Sequence, residues 1–153
     1  MADELVVLFN LFPELAKKLH DTVADLVVKA AFDVQRMSAD MAPVAIGHLK
    51  SSIYVEPGKG DSTYGQNVEG DGELLPEVEK PKSDQEAAVA VGATYGIYVE
   101  MGTRFMGARP YLMPAAEAMR GPFTLAMSHL EEAMLAGGSM PSPGGSGGGS
   151  EGG

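Results

Sequence analysis

Within residues 100–109 the sequence gathers a carboxylate, a hydroxyl and two guanidiniums: Glu100, Thr103, Arg104 and Arg109. In an enzyme such a set would use Glu100 as a base and an arginine as its electrophilic partner. In an architectural role Glu100 would accept hydrogen bonds from the turn at Gly102 and Thr103, or pair with an arginine. The architectural reading is favoured, because those donors lie within local reach of the carboxylate.

The other reactive residue types do not converge. His20, His48 and His129 lie far apart, and no two are four residues apart as helical zinc ligands would be. Ser51 and Ser52 lack a Gly-x-Ser-x-Gly context, and the chain has no Gly-x-x-x-x-Gly-Lys phosphate loop. Glu131, Glu132 and the acidic middle of the chain lack the spacing of a calcium loop and read as solvated charge. With no cysteine there is no disulfide, thiolate nucleophile or zinc–sulfur site. The sequence therefore predicts no catalytic residue, no metal and no cofactor. The contrary reading, a small metal- or ligand-dependent enzyme, rests on the scattered histidines and acids alone.

At 153 residues the chain suits one domain, and its 44% hydrophobic and 21% charged content is ordinary for a soluble globular protein. A formal net charge of −10 argues against gripping nucleic acid through a general basic surface. No apolar run approaches the roughly 20 residues of a membrane span, and the acidic start is unlike a secretory signal.

Residues 5–9 form a short apolar run, read as a strand or anchoring arm. Asn10 then suits a helix cap, with Pro13 and Glu14 in the first turn. From there Leu15, Leu19, Val23, Leu26, Ala30, Val34 and Met37 recur at helical intervals, predicting a long amphipathic helix that ends near Asp40, ahead of Pro43. Ile53 and Val55 alternate with Ser52, Tyr54 and Glu56 as in a strand. Residues 56–86 hold most of the excess acid and are read as a long loop insertion, with Tyr64 and Val68 on one arm of a possible hairpin and residues 74–78 on the other. Strand character resumes over residues 87–92. Ile97, Tyr98 and Met101 sit at helical spacing and are expected to bury one face of a short turn, which Gly102 ends with a positive φ. Arg109 is extended because Pro110 follows it, and Pro114 opens a last helix that Gly121-Pro122 kinks or restarts. Its second half carries the stripe Phe123, Met127, Leu130 and Met134. Residues 137–153 are a Gly/Ser-rich flexible tail. The sum is an α+β domain over residues 1–136: a small antiparallel sheet packed against a long N-terminal helix and a kinked C-terminal helix.

Two blocks carry a resemblance. The first is Ala42-Pro43-Val44-Ala45-Ile46-Gly47-His48-Leu49-Lys50-Ser51-Ser52-Ile53. The second is Tyr95-Gly96-Ile97-Tyr98-Val99-Glu100-Met101-Gly102-Thr103, followed by Arg109-Pro110-Tyr111-Leu112-Met113-Pro114-Ala115. Together they resemble the neck and tail-completion proteins of long-tailed bacteriophages, a family of minor virion components. The chain departs from the family pattern at Ala45 and Ile46, where the family usually carries Asp and Thr. The resemblance marks Pro43, Gly47, Leu49, Ser52, Tyr95, Tyr98, Glu100, Gly102, Thr103, Arg109, Pro110 and Pro114 as a structural signature.

The resemblance implies a structural protein of the virion neck or tail, assembled in the host cytoplasm. Its subunits would close a hexameric ring between the head-connector and the tail-tube or tail-terminator proteins. DNA would pass through the lumen without sequence-specific binding, with the acidic loop as an assembly or lumen-facing element outside the core. A transient tail-assembly factor is the alternative. Surplus apolar elements for so small a chain, including ten methionines, also point to interfaces.

Overall fold

The computed structural model describes residues 2–43 and 46–135, with side chains over 16–43 and 46–133. The tail expected over residues 137–153, together with Val44, Ala45 and the Met134 side chain, lies outside the described residues. The elements run α1 (Ala2–Met41), α2 (Gly47–Ser52), β1 (Ile53–Pro57), β2 (Ala87–Val91), α3 (Gly96–Met101) and α4 (Leu112–Leu135). β1 and β2 pair antiparallel, Ile53 opposite Val91 and Pro57 opposite Ala87. The architecture is the expected α+β one, a two-stranded sheet with a long helix at each end of the chain; α1 packs on both strands and on α4.

The helix α1 starts much earlier than the cap at Asn10 predicted. Residues 5–9 are its second turn and not a strand or arm, and Pro13 lies inside it. Apart from Pro13, residues 2–15 contain no helix breaker, so the long downstream helix propagates back through them with the loss of one hydrogen bond. Its end at Met41 falls where Pro43 requires. The buried line of α1 is Ala24, Ala31 and Ser38, seven residues apart, continued by Ala42 just past its end. Leu19, Val23, Leu26, Ala30, Val34 and Met37 flank that line half-buried. Small residues occupy the centre because sheet and α4 approach the helix closely there, leaving the branched side chains to cover the sides.

The strand β1 is buried along its whole length, where alternation predicted one exposed face. The second cover is the acidic segment. Tyr64 packs edge-on against Tyr54 with ring centroids 5.0 Å apart, and the Val78 N–H donates to the Tyr54 hydroxyl at 2.9 Å. Thr63 lies along the outer edge of β1: its N–H donates to the Val55 carbonyl at 3.1 Å, and its hydroxyl accepts from the Val55 N–H at 2.9 Å. Residues 58–86 form no helix or strand and none is fully buried, yet they are bonded to the sheet and tied to α1 through Lys59 and Asp25 at 3.1 Å. The two arms meet where Tyr64 donates to the Leu75 carbonyl at 2.6 Å, but no strand ladder joins them.

α2 was not foreseen. It joins α1 to the sheet through Leu49, which is fully buried, and Ser52, whose hydroxyl donates to the Leu49 carbonyl at 2.8 Å and accepts from the Ala93 N–H at 3.0 Å. Its N-cap residue is Ile46, which has no side-chain acceptor to offer. α4 runs unbroken through Pro122 from Leu112 to Leu135, so no restart divides it. Between α1, β2 and α4 an open apolar groove of about 510 Å³ remains, lined by Val27, Ala31, Val34, Val89, Met119 and Phe123 among others.

Glu56 is the buried acid of the sheet. Burial pushes its carboxyl above the ordinary 4.5, a hydrogen bond with Glu77 raises it further, and Ser62 opposes the rise. Glu77 is lowered by its bonds to Ser62 and Glu56, so of the two carboxyls Glu56 is the one that takes up a proton first as pH falls. For an acid whose value is raised by folding, the stability it contributes is complete below 4.5 and is lost as pH climbs through the raised value. Glu56→Gln keeps a donor for Glu77 and removes the titration. Its stability relative to the parent should rise by about 1 kcal/mol between roughly pH 4 and pH 8, read from denaturant unfolding at the two pH values. A constant difference across that range would refute the raised Glu56 value.

Candidate interaction surface

α3 is six residues long, too short to persist without tertiary support. Gly96 and Val99 are its buried positions. A Cβ at Gly96 would come within 2.7 Å of Val91 Cγ1 and 2.9 Å of the Tyr111 hydroxyl, so only glycine lets α3 sit this close to β2 and to Tyr111. Tyr111 is 1% exposed and donates its hydroxyl to the Gly96 carbonyl at 2.9 Å. Burial, with Glu100 and Tyr95 nearby, pushes its phenol up to about 12, so it remains a donor throughout the physiological range.

One helical step along the same face, Glu100 reaches the start of α4. Oε2 accepts from the Tyr111 N–H at 2.8 Å and the Leu112 N–H at 3.0 Å, and Oε1 accepts from the Met113 N–H at 2.9 Å. These are orphan donors of a helix N-terminus, where a carboxylate is favoured by hydrogen bonding and by the helix dipole. Burial alone would raise this carboxyl, but the three N–H bonds outweigh it and hold it below 4.5. The Gly102 and Thr103 donors expected for it go elsewhere. Gly102 N–H caps α3 at the Tyr98 carbonyl, 2.8 Å away, and Thr103 N–H donates to the Met106 carbonyl at 2.8 Å. Neither Arg104 nor Arg109 forms an ion pair among the described residues; the Arg109 backbone N–H donates to the Val99 carbonyl at 2.8 Å.

With Gly96, Val99 and Glu100 turned inward, Ile97, Tyr98 and Met101 must turn outward. They are 65%, 56% and 72% exposed, which reverses the expected buried face. The exposed apolar surface continues beyond Gly102. Thr103 closes a tight turn onto Met106, its hydroxyl accepting from the N–H groups of Phe105 at 3.2 Å and Met106 at 3.1 Å. Phe105 projects from that turn 89% exposed, with the Arg104 guanidinium 5.1 Å from its ring centre. Met113, at the start of α4, is also exposed.

Of the signature residues, Leu49 and Ser52 are buried and Pro43, Gly47 and Tyr95 half-buried, about the junction of α1, α2 and α3. Tyr98, Thr103, Arg109 and Pro110 are exposed. Pro114 sits in the first turn of α4, and Gly102 has φ +77°. The residues that sequence reasoning passed over are Gly96, Tyr111 and Phe105. For Glu100 a signal was available: α4 begins after Pro110 and Tyr111 with no Ser, Thr, Asp or Asn to cap it and no acid in its first turn, so a remote acceptor was required. Among the described residues no group of histidines and acids could hold a metal, and no helix is long and apolar enough to cross a membrane.

α3 is thus locked from behind by Glu100 and Tyr111 and apolar in front at Ile97, Tyr98 and Met101. A family model described as "Bacteriophage HK97-gp10, putative tail-component" matches residues 11–102, well over half of the chain. The chain belongs to this family of phage tail components, and is a structural protein of the virion. The match takes in α1 from residue 11 onward, α2, the sheet, the acidic segment and α3, and ends at Gly102, ahead of the Phe105 turn and α4. No curated protein and no solved structure matches the chain.

Two substitutions test the lock. Glu100→Gln replaces an acceptor of three bonds by one that presents an N–H₂ group to N–H donors, and should cost about 1–2 kcal/mol at neutral pH. Because folding lowers the Glu100 value, the parent should lose this contribution as pH falls from 4.5 through the lowered value, and the variant should lack that part of the acid slope. Parallel acid unfolding curves would refute the cap. Gly102→Ala combines positive φ with a Cβ placed 2.7 Å from the Ala108 amide nitrogen, so it should cost more than about 1 kcal/mol; an unchanged melting midpoint would contradict the turn geometry.

Proposed function

We propose that the chain is a ring-forming neck or tail-completion subunit joining the head connector to the tail tube, acting as a hexamer assembled in the host cytoplasm. The observation that carries this reading is the exposed apolar surface of Ile97, Tyr98, Met101 and Phe105 on a backbone locked by Glu100 and Tyr111. Large exposed apolar surfaces mark interfaces, and a prelocked one loses little freedom on binding. Identical subunits meeting through two different faces close a ring when the rotation allows, and a neck around DNA needs closure.

The work of such a subunit is geometric, with no catalytic step. Its two rims would meet the connector and the tube or terminator, and the lumen would pass DNA without reading its sequence. The acidic segment suits the lumen, since like charge repels phosphates and lets DNA slide. That segment also covers β1, so shortening it to a tight turn would unfold the edge of the sheet as well as change the lumen.

Quantitative mass spectrometry of purified particles tests the reading. A ring requires a fixed copy number of about six per particle, and image averages should place all copies around the tail axis. One or two copies, scattered positions, or absence from finished particles would overturn it, the last in favour of a transient assembly factor.

A further inference from the structure

Every backbone N–H and C=O of a strand needs a partner, and the groups along one side of β2 have none. At the ends of the β1–β2 ladder the Gly92 N–H donates to the Ser52 carbonyl at 2.9 Å and the Gly58 N–H to the Glu86 carbonyl at 2.8 Å. Bonding direction alternates along a strand, so Ala88 and Ala90 turn their N–H and C=O groups toward β1, and Ala87, Val89 and Val91 turn theirs away. β1 has the same phase, since Val55, opposite Val89, bonds outward to Thr63. Among the described residues the outward groups of Ala87, Val89 and Val91 form no hydrogen bond.

The two edges of the sheet are treated differently. The outer edge of β1 is filled by the Gln35 amide and by Thr63. β2 carries none of the features that usually blunt an exposed edge. Its sequence, Ala-Ala-Val-Ala-Val, has no charge and no proline, it pairs with β1 in unbroken register, and it is half-exposed along its whole length. α4 packs on α1 and is separated from β2 by the open groove, so no helix covers this edge. We propose that the open edge of β2 pairs with the same edge of a second copy, antiparallel about a two-fold axis at Val89, joining two sheets into one.

The edge itself selects this occupant. A row of unpaired N–H and C=O groups is satisfied by another extended backbone with unpaired groups of its own. With the β1 edge filled, the strand edge that a copy of this chain has left to offer, among the described residues, is that of β2. The outward residues are spaced evenly about Val89, so the edge complements itself: Val89 faces its counterpart and Ala87 faces Val91 of the other copy, each facing pair exchanging both bonds, about six in all. Charge allows the approach. In a chain of net charge −10 this strand is neutral, and Glu86 at its head falls opposite Gly92 of the other copy and not opposite a second Glu86. A two-fold pair closes on itself, so this contact is not the one that repeats around a ring; it belongs to the free subunit and goes beyond the ring reading.

Sedimentation of the full chain from micromolar to millimolar concentration, with amide hydrogen exchange followed by NMR over the same range, tests the pairing. A reversible monomer–dimer equilibrium is expected. The Val89 and Val91 amides should exchange freely in the dilute chain and become protected as dimer forms, whereas those of Ala88 and Ala90, already bonded to β1, should be protected throughout. Monomer at every concentration, or any oligomer in which the Val89 and Val91 amides still exchange freely, would overturn the pairing. Independently, Ala87→Pro deletes an outward N–H at the first residue of the strand, where proline leaves the β1 ladder intact. It should raise the dimer Kd about tenfold with unchanged circular dichroism; an unchanged Kd would overturn the pairing. Both measurements use the free chain, so they stand apart from the copy number in particles that decides the ring reading.

Discussion

The contact on which the presented surface depends is the Glu100 carboxylate at the head of α4. It connects an element that cannot persist alone, the six-residue α3, to a helix of 24 residues packed along α1. The three N–H groups it accepts would otherwise be orphan donors, and the carboxylate would otherwise be half-buried without partners. Each side removes a cost from the other. Tyr111 fixes the same junction from the opposite direction, its N–H to Glu100 and its hydroxyl to Gly96, so translation and rotation of α3 are both constrained. The outward aim of Ile97, Tyr98 and Met101 follows from that constraint.

Below this junction the fold rests on small residues. Ala24, Ala31 and Ser38 on α1 admit the sheet and α4 to close approach, and Gly96 does the same for Tyr111. Ser52 joins three elements at once, closing α2 on Leu49, receiving the Ala93 N–H and giving its carbonyl to the Gly92 N–H at 2.9 Å. A core of modest volume is thereby held by position and hydrogen bonding as much as by apolar bulk.

Much of this was legible in the sequence. Periodicity and the proline rule located most of α1 and its end, alternation located both strands, and the positive φ at Gly102 followed from its place after a short apolar turn. What was hidden has specific causes. Asn10 and Pro13 imitate a helix start, and local signals do not reveal that a long helix can absorb both. Residues 47–52 are too few to show a period and lack a capping residue. The face of α3 was reversed because three large apolar residues outweigh a glycine in any periodicity argument, although in close packing the absence of a side chain decides which face goes inward. The donors of Glu100 lie 11 to 13 residues downstream and become visible only once α4 is recognised as uncapped.

A two-stranded sheet would ordinarily invite a neighbour to add a strand along its free edge. In this chain the outer edge of β1 is already occupied, Ile53 by the Gln35 amide of α1 at 2.9 Å and Val55 by Thr63. A neighbouring chain therefore finds no backbone there on which to add a strand. Strand addition tolerates sliding by two residues and sets no fixed angle between subunits, whereas fitting side chains into a recess sets one. By occupying the outer edge of β1, Gln35 of α1 and Thr63 of the acidic segment deny a neighbour that sliding, register-free contact along this strand.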